Sequence, residues 1–165
     1  MPSLMRCINI IGRCGAIFRS DRLAGSDLGE THHSYILNLC RNPGVSQDTL
    51  AKKLFINKSN VTRTLAYLEA HGYVTRVQSE DDRRVILVYP TEKAYEAVPM
   101  LKDMIHGWND YMTADLSDEE KEILQSILPK LAKRAAEYAE LSEEALSDVD
   151  ITTADEKGPE GSDGR

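Results

Sequence analysis

A segment near the middle of the chain carries side chains that could hydrogen-bond with the edges of nucleobases. If residues 58–71 form a helix with about 100° per residue, Val61, Leu65 and Leu68 form one stripe that faces a core. The opposite side and its flanks carry mostly small or hydrogen-bonding side chains, in the order Ser59, Asn60, Thr62, Arg63, Ala66 and Tyr67. Arginine pairs well with guanine, asparagine with adenine, and the threonine methyl with the thymine methyl. This face is therefore predicted to lie in the major groove of DNA, with the helix N-terminus near a phosphate.

Two adjacent arginines follow this segment at a predicted hairpin tip. Residues 73–77 and 85–89 are rich in β-branched and aromatic side chains and flank the polar stretch QSEDDRR. Arg83 and Arg84 on a narrow hairpin suit phosphate contact or insertion into a minor groove, and Asp82 is predicted to brace the turn by pairing with Arg84. An ordinary polar turn is the alternative. The predicted DNA contacts are Ser46, Gln47, Asn57, Lys58, Ser59, Asn60, Thr62, Arg63, Arg83 and Arg84.

Capping residues define the elements that position these groups. Thr31 is predicted to cap the helix HHSYILNLCR, which ends before residues 42–44, and Ser46 to cap VSQDTLAKKLF. Asn57 can cap the helix predicted for residues 58–71, and Gly72 lies where a helix often ends in a left-handed turn. A capped helix whose Ser and Asn serve only its own first turn is the alternative to DNA reading.

Two long amphipathic segments flank this central part. Residues 4–23 read as an apolar helix, and Thr91 begins another whose apolar positions recur at helical spacing, namely Leu101, Ile105, Trp108 and Met112. Ser117 and Glu120 form a capping box ahead of a last helix, which Pro129 should kink or break. Such helices would expose large apolar faces alone, so an identical subunit is the economical partner.

The net charge of −7 is unevenly distributed along the 165 residues. Residues 41–93 carry nine Lys and Arg against six Asp and Glu, residues 94–141 five against ten, and residues 142–165 two against eight. Because local potential governs binding to phosphates, the acidic total does not exclude DNA. The acidic tail is poor in apolar residues and is predicted to be disordered.

The central run from residue 45 to residue 91 strongly resembles the MarR family of bacterial regulators. Its most typical parts are VTRTLAYLEAHGYVTR and the wing pattern D-x-R, here Asp82 to Arg84, followed by a strand and Thr91. LSDEEKEILQSILPKL is similar to the family's last helix, so the resemblance covers about residues 4–140. Pro90 and Ala94 depart from the usual Leu and Gly, which puts the start of the following helix in doubt.

The resemblance implies a mainly α fold with a small β wing, a winged helix-turn-helix dimer whose N- and C-terminal helices form the interface. It implies a regulator, usually a repressor, that binds pseudo-palindromic double-stranded DNA with the wing arginine matching Arg84 in the minor groove. The predicted segments are a dimerisation helix and linker (1–30), the DNA-binding domain (31–92), dimerisation helices (93–141) and the tail (142–165).

Family members are usually released by a phenolic ligand, a metal or thiol oxidation. For an organic, phenolic or other aromatic effector, the resemblance points to the crevice between the DNA-binding lobe and the helical interface. The candidate wall residues are Arg22, His32, His33, Tyr35 and Trp108, although Trp108 could instead fill the dimer core with Leu101 and Ile105.

The other two signals have weaker support in the sequence. Cys7 and Cys14 lie on one helical face and could sense oxidation, or could be buried small hydrophobes. For metal, His32 with His33, and His106 with Asp110, are the candidates, but no spacing supports a closed site, so no metal or other cofactor is expected.

Other classes of protein fit less well. The chain has no nucleophile elbow, phosphate-binding loop or zinc-protease motif, and Asp81-Asp82 and Glu119-Glu120 do not form a catalytic dyad, so an enzyme is not expected. No apolar run approaches the roughly 18 residues of a membrane span, and no signal peptide is recognised. Three cysteines without paired spacing favour a cytoplasmic protein. A winged helix that binds protein rather than DNA is the alternative class.

Overall fold

Six helices and three short strands make up residues 3–138, the part of the chain that the computed structural model describes. The elements are α1 (Leu4–Arg22), α2 (His32–Arg41), β1 (Val45–Ser46), α3 (Gln47–Lys53), α4 (Lys58–Ala70), β2 (Val74–Gln78), β3 (Ile86–Pro90), α5 (Glu92–Thr113) and α6 (Asp118–Tyr138). The mainly helical fold class with a small β hairpin is confirmed. The predicted tail lies outside the described residues.

Local capping explains where α3, α4 and α6 begin. The Ser46 hydroxyl accepts the N–H of Thr49 at 3.0 Å, and the Asn57 side chain accepts the N–H of Asn60 at 2.9 Å. The capping box also forms, because Ser117 and Glu120 exchange hydrogen bonds between side chain and backbone N–H. These three predictions are confirmed.

The start of α2 differs from the prediction. Thr31 precedes the helix, but its backbone is already helical and its side chain forms no capping hydrogen bond. Instead the Ser34 hydroxyl donates to the Thr31 carbonyl, and the ring Nδ1 of His32 accepts the N–H of Gly29 at 3.0 Å. The bounds of α2 were therefore predictable, whereas its cap was not.

The three strands form an antiparallel sheet in the order β1-β3-β2. Thr75 pairs with Tyr89 across the hairpin, and Val45 pairs with Val88 on the other side of β3. Each hairpin strand begins one residue later than expected, and Gly72 takes the predicted left-handed conformation with φ of 76°. The two-residue strand β1 was not predicted, because so short a segment has no readable alternation.

A single apolar core holds α2, α3, α4 and the sheet together, and we call this part, residues 32–90, the winged module. Its fully buried side chains come from the helices and from β2 and β3, and include Ile36, Leu39, Leu50, Val61, Leu65, Leu68, Val74 and Val88. Leu101 on α5 joins the same core, so this helix is fastened to the module. The hairpin of β2 and β3 extends from the module as the wing.

The terminal helices lie differently. Helix α6 continues through Pro129, so no break occurs there, and its buried residue is Ala136. Large apolar side chains remain exposed on α1 and α6, among them Ile8, Ile11, Ile123, Ile127, Leu128 and Leu131. Among the described residues, no helix is long and apolar enough to cross a membrane.

Candidate nucleic-acid interface

Helix α4 is divided sharply into a buried and an exposed side. Val61, Leu65 and Leu68 have no solvent exposure, which confirms that this stripe faces the core. Ser59, Thr62 and Arg63, among the other predicted contacts, lie on the exposed side, and Asn60 is half-buried. The helix therefore presents a short polar surface with one long cationic side chain to the solvent.

The polar side chains of this surface are held by local hydrogen bonds. The Ser59 hydroxyl donates to the Asn57 side chain at 2.9 Å, and the Thr62 hydroxyl donates to the Lys58 carbonyl at 3.0 Å. Arg63 donates one N–H to the Asn60 side-chain oxygen at 2.5 Å. A guanidinium has five N–H donors, so Arg63 retains donors for a further acceptor. The first turn is thus self-capped and still offers hydrogen-bonding groups outward.

Helix α3 touches the same surface. The Gln47 side-chain oxygen accepts from Thr62 at 3.3 Å, and Asp48 pairs with Lys58 at 2.7 Å on the exposed surface. The turn between the helices contains Phe55 in a left-handed conformation with φ of 55°, which a residue other than glycine adopts only at a cost. Two helices joined by this short turn form a helix-turn-helix.

At the wing tip, Asp82 braces the turn through the backbone. Its carboxylate accepts the N–H of Arg84 at 2.9 Å, so the predicted pairing with Arg84 forms and uses the backbone of that residue. The Gln78 side chain donates to the Arg83 carbonyl at 2.5 Å and ties the strand to the tip. Arg83 and Arg84 are exposed, and the described part of the structure gives neither guanidinium a salt-bridge partner.

A brace that the sequence analysis missed links the wing to α4. Glu69 near the end of α4 accepts hydrogen bonds from the Arg76 side chain, the shortest at 2.6 Å, and from the Arg76 backbone N–H at 3.1 Å. These bonds hold the pKa of the Glu69 carboxyl below its usual range. In the sequence, this ion pair is indicated only by an acidic residue, Glu69, and a basic residue, Arg76, seven positions apart on either side of a helix end. The brace couples the direction of the wing to that of the helix.

A cavity of about 240 Å³ lies between α1, α2 and α5. Apolar side chains form most of its wall, and three cationic or titratable groups join them: Arg19, His33 and Arg41. Trp108 also lines it and packs against Phe18, with ring centroids 5.2 Å apart. Helix α1 approaches this tryptophan closely, because a Cβ on buried Gly15 would lie 3.3 Å from its ring.

Only part of the predicted effector wall lines this cavity. His33 and Trp108 do, whereas the Arg22 guanidinium lies over the Phe18 ring at 5.1 Å. Tyr35 is buried in the core, where burial raises the pKa of its hydroxyl. His32 lines a second cavity of about 480 Å³, on the side of α4 that includes Arg63 and Tyr67. Helical spacing alone could not separate these positions, because His32 and His33 point to different neighbours.

The candidate redox and metal groups are placed as follows. Cys7 is half-buried, Cys14 is exposed, and burial raises the pKa of the Cys40 thiol to about 11. Within residues 3–138, no group of three or more His, Cys, Asp or Glu side chains could hold a metal ion.

The arrangement of residues 32–90 is a winged helix-turn-helix, and comparisons with known proteins agree. The MarR family model matches residues 26–85. The chain is 23% identical over 133 residues to the HTH-type transcriptional regulator YybA of Bacillus subtilis, covering 81% of this chain and 89% of that protein.

Solved structures of the family superpose on the whole described fold. A crystal structure of MarR is 26% identical with a TM-score of 0.77, covering 84% of this chain and 94% of that one. A MarR-family regulator of Listeria monocytogenes, crystallised with a 26mer DNA, is 21% identical with a TM-score of 0.76, covering 93% and 98%. The chain is therefore similar to MarR-family winged helix-turn-helix transcriptional regulators, in the family model over its winged module and in fold over most of its length.

Proposed function

We propose that the protein is a homodimeric repressor that binds pseudo-palindromic DNA and is released by a small aromatic anion. The exposed surface of α4 is the observation that supports DNA binding. Its short polar side chains and Arg63 face solvent, while the arginines of the wing tip extend from the same braced module. The Listeria relative that was crystallised with a 26mer DNA has the same fold, which supports DNA as the partner.

In this proposal α4 lies in the major groove, and Arg84 reaches the minor groove or its phosphates. Arg63 contacts a base edge, whereas Lys58 and the N-terminus of α4 contact phosphates. Two copies would place their α4 helices in successive major grooves, about 34 Å apart, which favours a pseudo-palindromic operator.

Fluorescence anisotropy with DNA from upstream of the protein's own gene tests this assignment. Arg63→Ala should weaken specific binding by about 1–3 kcal/mol and leave binding to unrelated DNA nearly unchanged. Arg84→Ala should reduce the dependence of affinity on salt, because it removes a phosphate or minor-groove cation. Arg134→Ala is the matched control, since it removes an exposed arginine of α6 that pairs with Glu137 outside the winged module.

If Arg63→Ala and Arg84→Ala bind as tightly as Arg134→Ala, these arginines do not read DNA. If the unmodified protein binds no DNA at low salt but retains a protein from solution, the module serves protein binding instead.

Exposed apolar side chains support the dimer. Helix α6 leaves Ile123 and Leu128 more than half exposed, and α1 does the same with Ile8. Isolated apolar side chains are common on surfaces, but continuous rows on two long helices are typical of an interface. A second copy, related by a twofold axis, would cover both helices with the same rows.

Sedimentation velocity tests the dimer directly. Ile127→Glu places a charge in the row on α6 and should convert the dimer to a monomer, with DNA affinity falling as well. Lys130→Glu, on the same helix, is the control for a change of charge alone. A parent protein that sediments as a monomer at micromolar concentration contradicts the proposal.

The cavity between α1, α2 and α5 supports the effector. Its volume of about 240 Å³ suits a molecule near the size of one substituted aromatic ring, and its wall combines apolar side chains with Arg19 and Arg41. A guanidinium pairs readily with a carboxylate, so an aromatic anion fits better than a neutral or cationic molecule.

Trp108 is the single tryptophan of the chain and lines this cavity, so its fluorescence reports binding there. Benzoate should change the emission and lower DNA affinity, and the neutral isostere benzamide should do so far more weakly. Arg19→Gln should reduce the discrimination between the two. Equal responses to both molecules would contradict the role of charge.

A further inference from the structure

The segment between α1 and α2 contacts α4 near the C-terminal end of that helix. The Tyr67 hydroxyl of α4 donates to the Asp27 carbonyl at 2.8 Å, and the His32 ring packs against the Tyr67 ring with centroids 4.9 Å apart. Arg63, one turn earlier on α4, lines the same cavity as His32. We call residues 26–29 the linker loop. The contacts of this loop therefore bear on the position of α4 and of its exposed arginine.

A hydrogen bond to the linker loop requires the His32 ring to be neutral. Its Nδ1 accepts the N–H of Gly29 in the linker loop at 3.0 Å, and a ring nitrogen that accepts a hydrogen bond cannot carry a proton. Two other histidines behave in the opposite way. Nδ1 of His33 lies 2.7 Å from the Glu30 carbonyl, and Nδ1 of His71 lies 2.8 Å from the Tyr67 carbonyl, so both must donate. Those two bonds survive protonation of the ring, whereas the bond of His32 does not.

Burial and one neighbouring charged group also favour the neutral form of His32. His71, at the end of α4, stacks on the same Tyr67 ring at 3.9 Å, and Arg63 faces the shared cavity. On its own helix His32 adjoins His33. Burial, and then the charge of His71, lower the pKa of His32. A docked state with a lowered pKa binds fewer protons, so acidification below the ordinary value of 6.5 favours release.

One contact of the linker loop does not titrate in this range. Asp27 pairs with Lys93 of α5 at 3.0 Å, and this pair lowers the pKa of the carboxyl and raises that of the ammonium. Lys93 also donates to the His71 carbonyl at 2.9 Å. The loop therefore remains attached to α5 when His32 is protonated, which limits the effect to the contact with α4.

We propose that neutral His32 is a positioning residue for α4. Its protonation breaks the bond that ties the linker loop to the start of α2, loosens the packing of the loop and the His32 ring on Tyr67, and weakens specific DNA binding. This inference rests on the proposed function, because it concerns the same helix. Loss of one hydrogen bond of this kind corresponds to about a fivefold weakening of affinity.

The first experiment measures anisotropy with specific and unrelated DNA between about pH 7.5 and pH 5.5, the range in which histidine titrates. The ratio of specific to unrelated affinity should fall about fivefold in the parent protein. His32→Asn retains an acceptor at the position of Nδ1 but cannot be protonated, so it should keep the neutral-pH ratio throughout. His106→Asn, on the exposed surface of α5, is the matched control and should follow the parent.

A second experiment needs no DNA. In the free parent protein, the amide proton of Gly29 should shift upfield in NMR spectra as His32 titrates, because its acceptor is lost. In His32→Asn this shift should disappear.

The outcomes separate the two proposals. A parent that binds no DNA at neutral pH, with a Gly29 amide that titrates, overturns the proposed function but not the role of His32. DNA binding whose pH profile is the same in His32→Asn and in the parent overturns the positioning role. A profile that His71→Asn flattens and His32→Asn does not would overturn it as well.

Discussion

Leucine and isoleucine side chains lie in opposite environments in the winged module and in the terminal helices. Leu65 of α4 has no exposed surface, whereas 53% of Leu128 of α6 is exposed. Both residues belong to amphipathic patterns that look alike in the sequence. The difference shows that the winged module buries its apolar side chains within one protomer, whereas α1 and α6 leave theirs exposed, as the proposed dimer requires.

The largest effect is expected inside the winged module. Leu65→Ala should lower the free energy of unfolding by about 2–5 kcal/mol, because it leaves a cavity in a fully packed core. Chemical denaturation measures this loss, which should not depend on protein concentration. A loss that varies with concentration would mean that this core is completed only by a second chain.

A smaller loss of stability, which should depend on protein concentration, is expected for a substitution on α6. Leu128→Ala should cost about 1.5–3 kcal/mol at concentrations where the dimer forms, from the buried area lost. In the dissociated protomer the same change should stay within about 0.5 kcal/mol, as is usual at exposed positions. Denaturation over a range of concentrations distinguishes the two, and equal losses at every concentration would contradict the assignment of this surface to a dimer.

The brace between the wing and α4 should contribute less. Glu69→Gln should cost about 0.5–1.5 kcal/mol, since the ion pair with Arg76 is partly exposed and therefore screened. The pKa of Glu69 is depressed, so the contribution is present above the ordinary pKa of 4.5 and is lost as the pH falls through the depressed value. The difference between parent and variant should thus be constant near neutral pH and shrink in acid.

The smallest effect is expected for the exposed pair of Lys58 and Asp48. Asp48→Asn should change the free energy of unfolding by no more than about 0.5 kcal/mol, because both side chains are well solvated. Thermal denaturation at low and high salt checks this value. A loss as large as that of Glu69→Gln would show that the exposed pair is not screened as its surroundings indicate.

Much of the winged module was predictable because its signals are local. The buried stripe of α4 follows from spacing, and the caps at Ser46 and Asn57 follow from residue type next to an apolar run. The resemblance to the family came from a long ordered stretch of this same module.

The misplaced residues depend on contacts between distant parts of the chain. Tyr35 was expected in an effector wall but is buried near α4, and Arg22 stacks on Phe18 of its own helix. The Arg76–Glu69 brace requires the strand to return beside the helix end, which spacing alone does not reveal. Thr31 failed as a cap because the His32 ring and the Ser34 hydroxyl bond the preceding loop instead.

The close approach at Gly15 has a mechanical consequence. A Cβ at this position would lie 3.1 Å from the Arg19 guanidinium and 3.3 Å from the Trp108 ring, so the ring lies directly against the backbone of α1. We expect a molecule that shifts Trp108 toward α1 to press on the helix backbone and on Arg19, and so to displace the exposed apolar row of this helix. In the proposed dimer, occupancy of this small internal space would therefore change the angle between the two protomers.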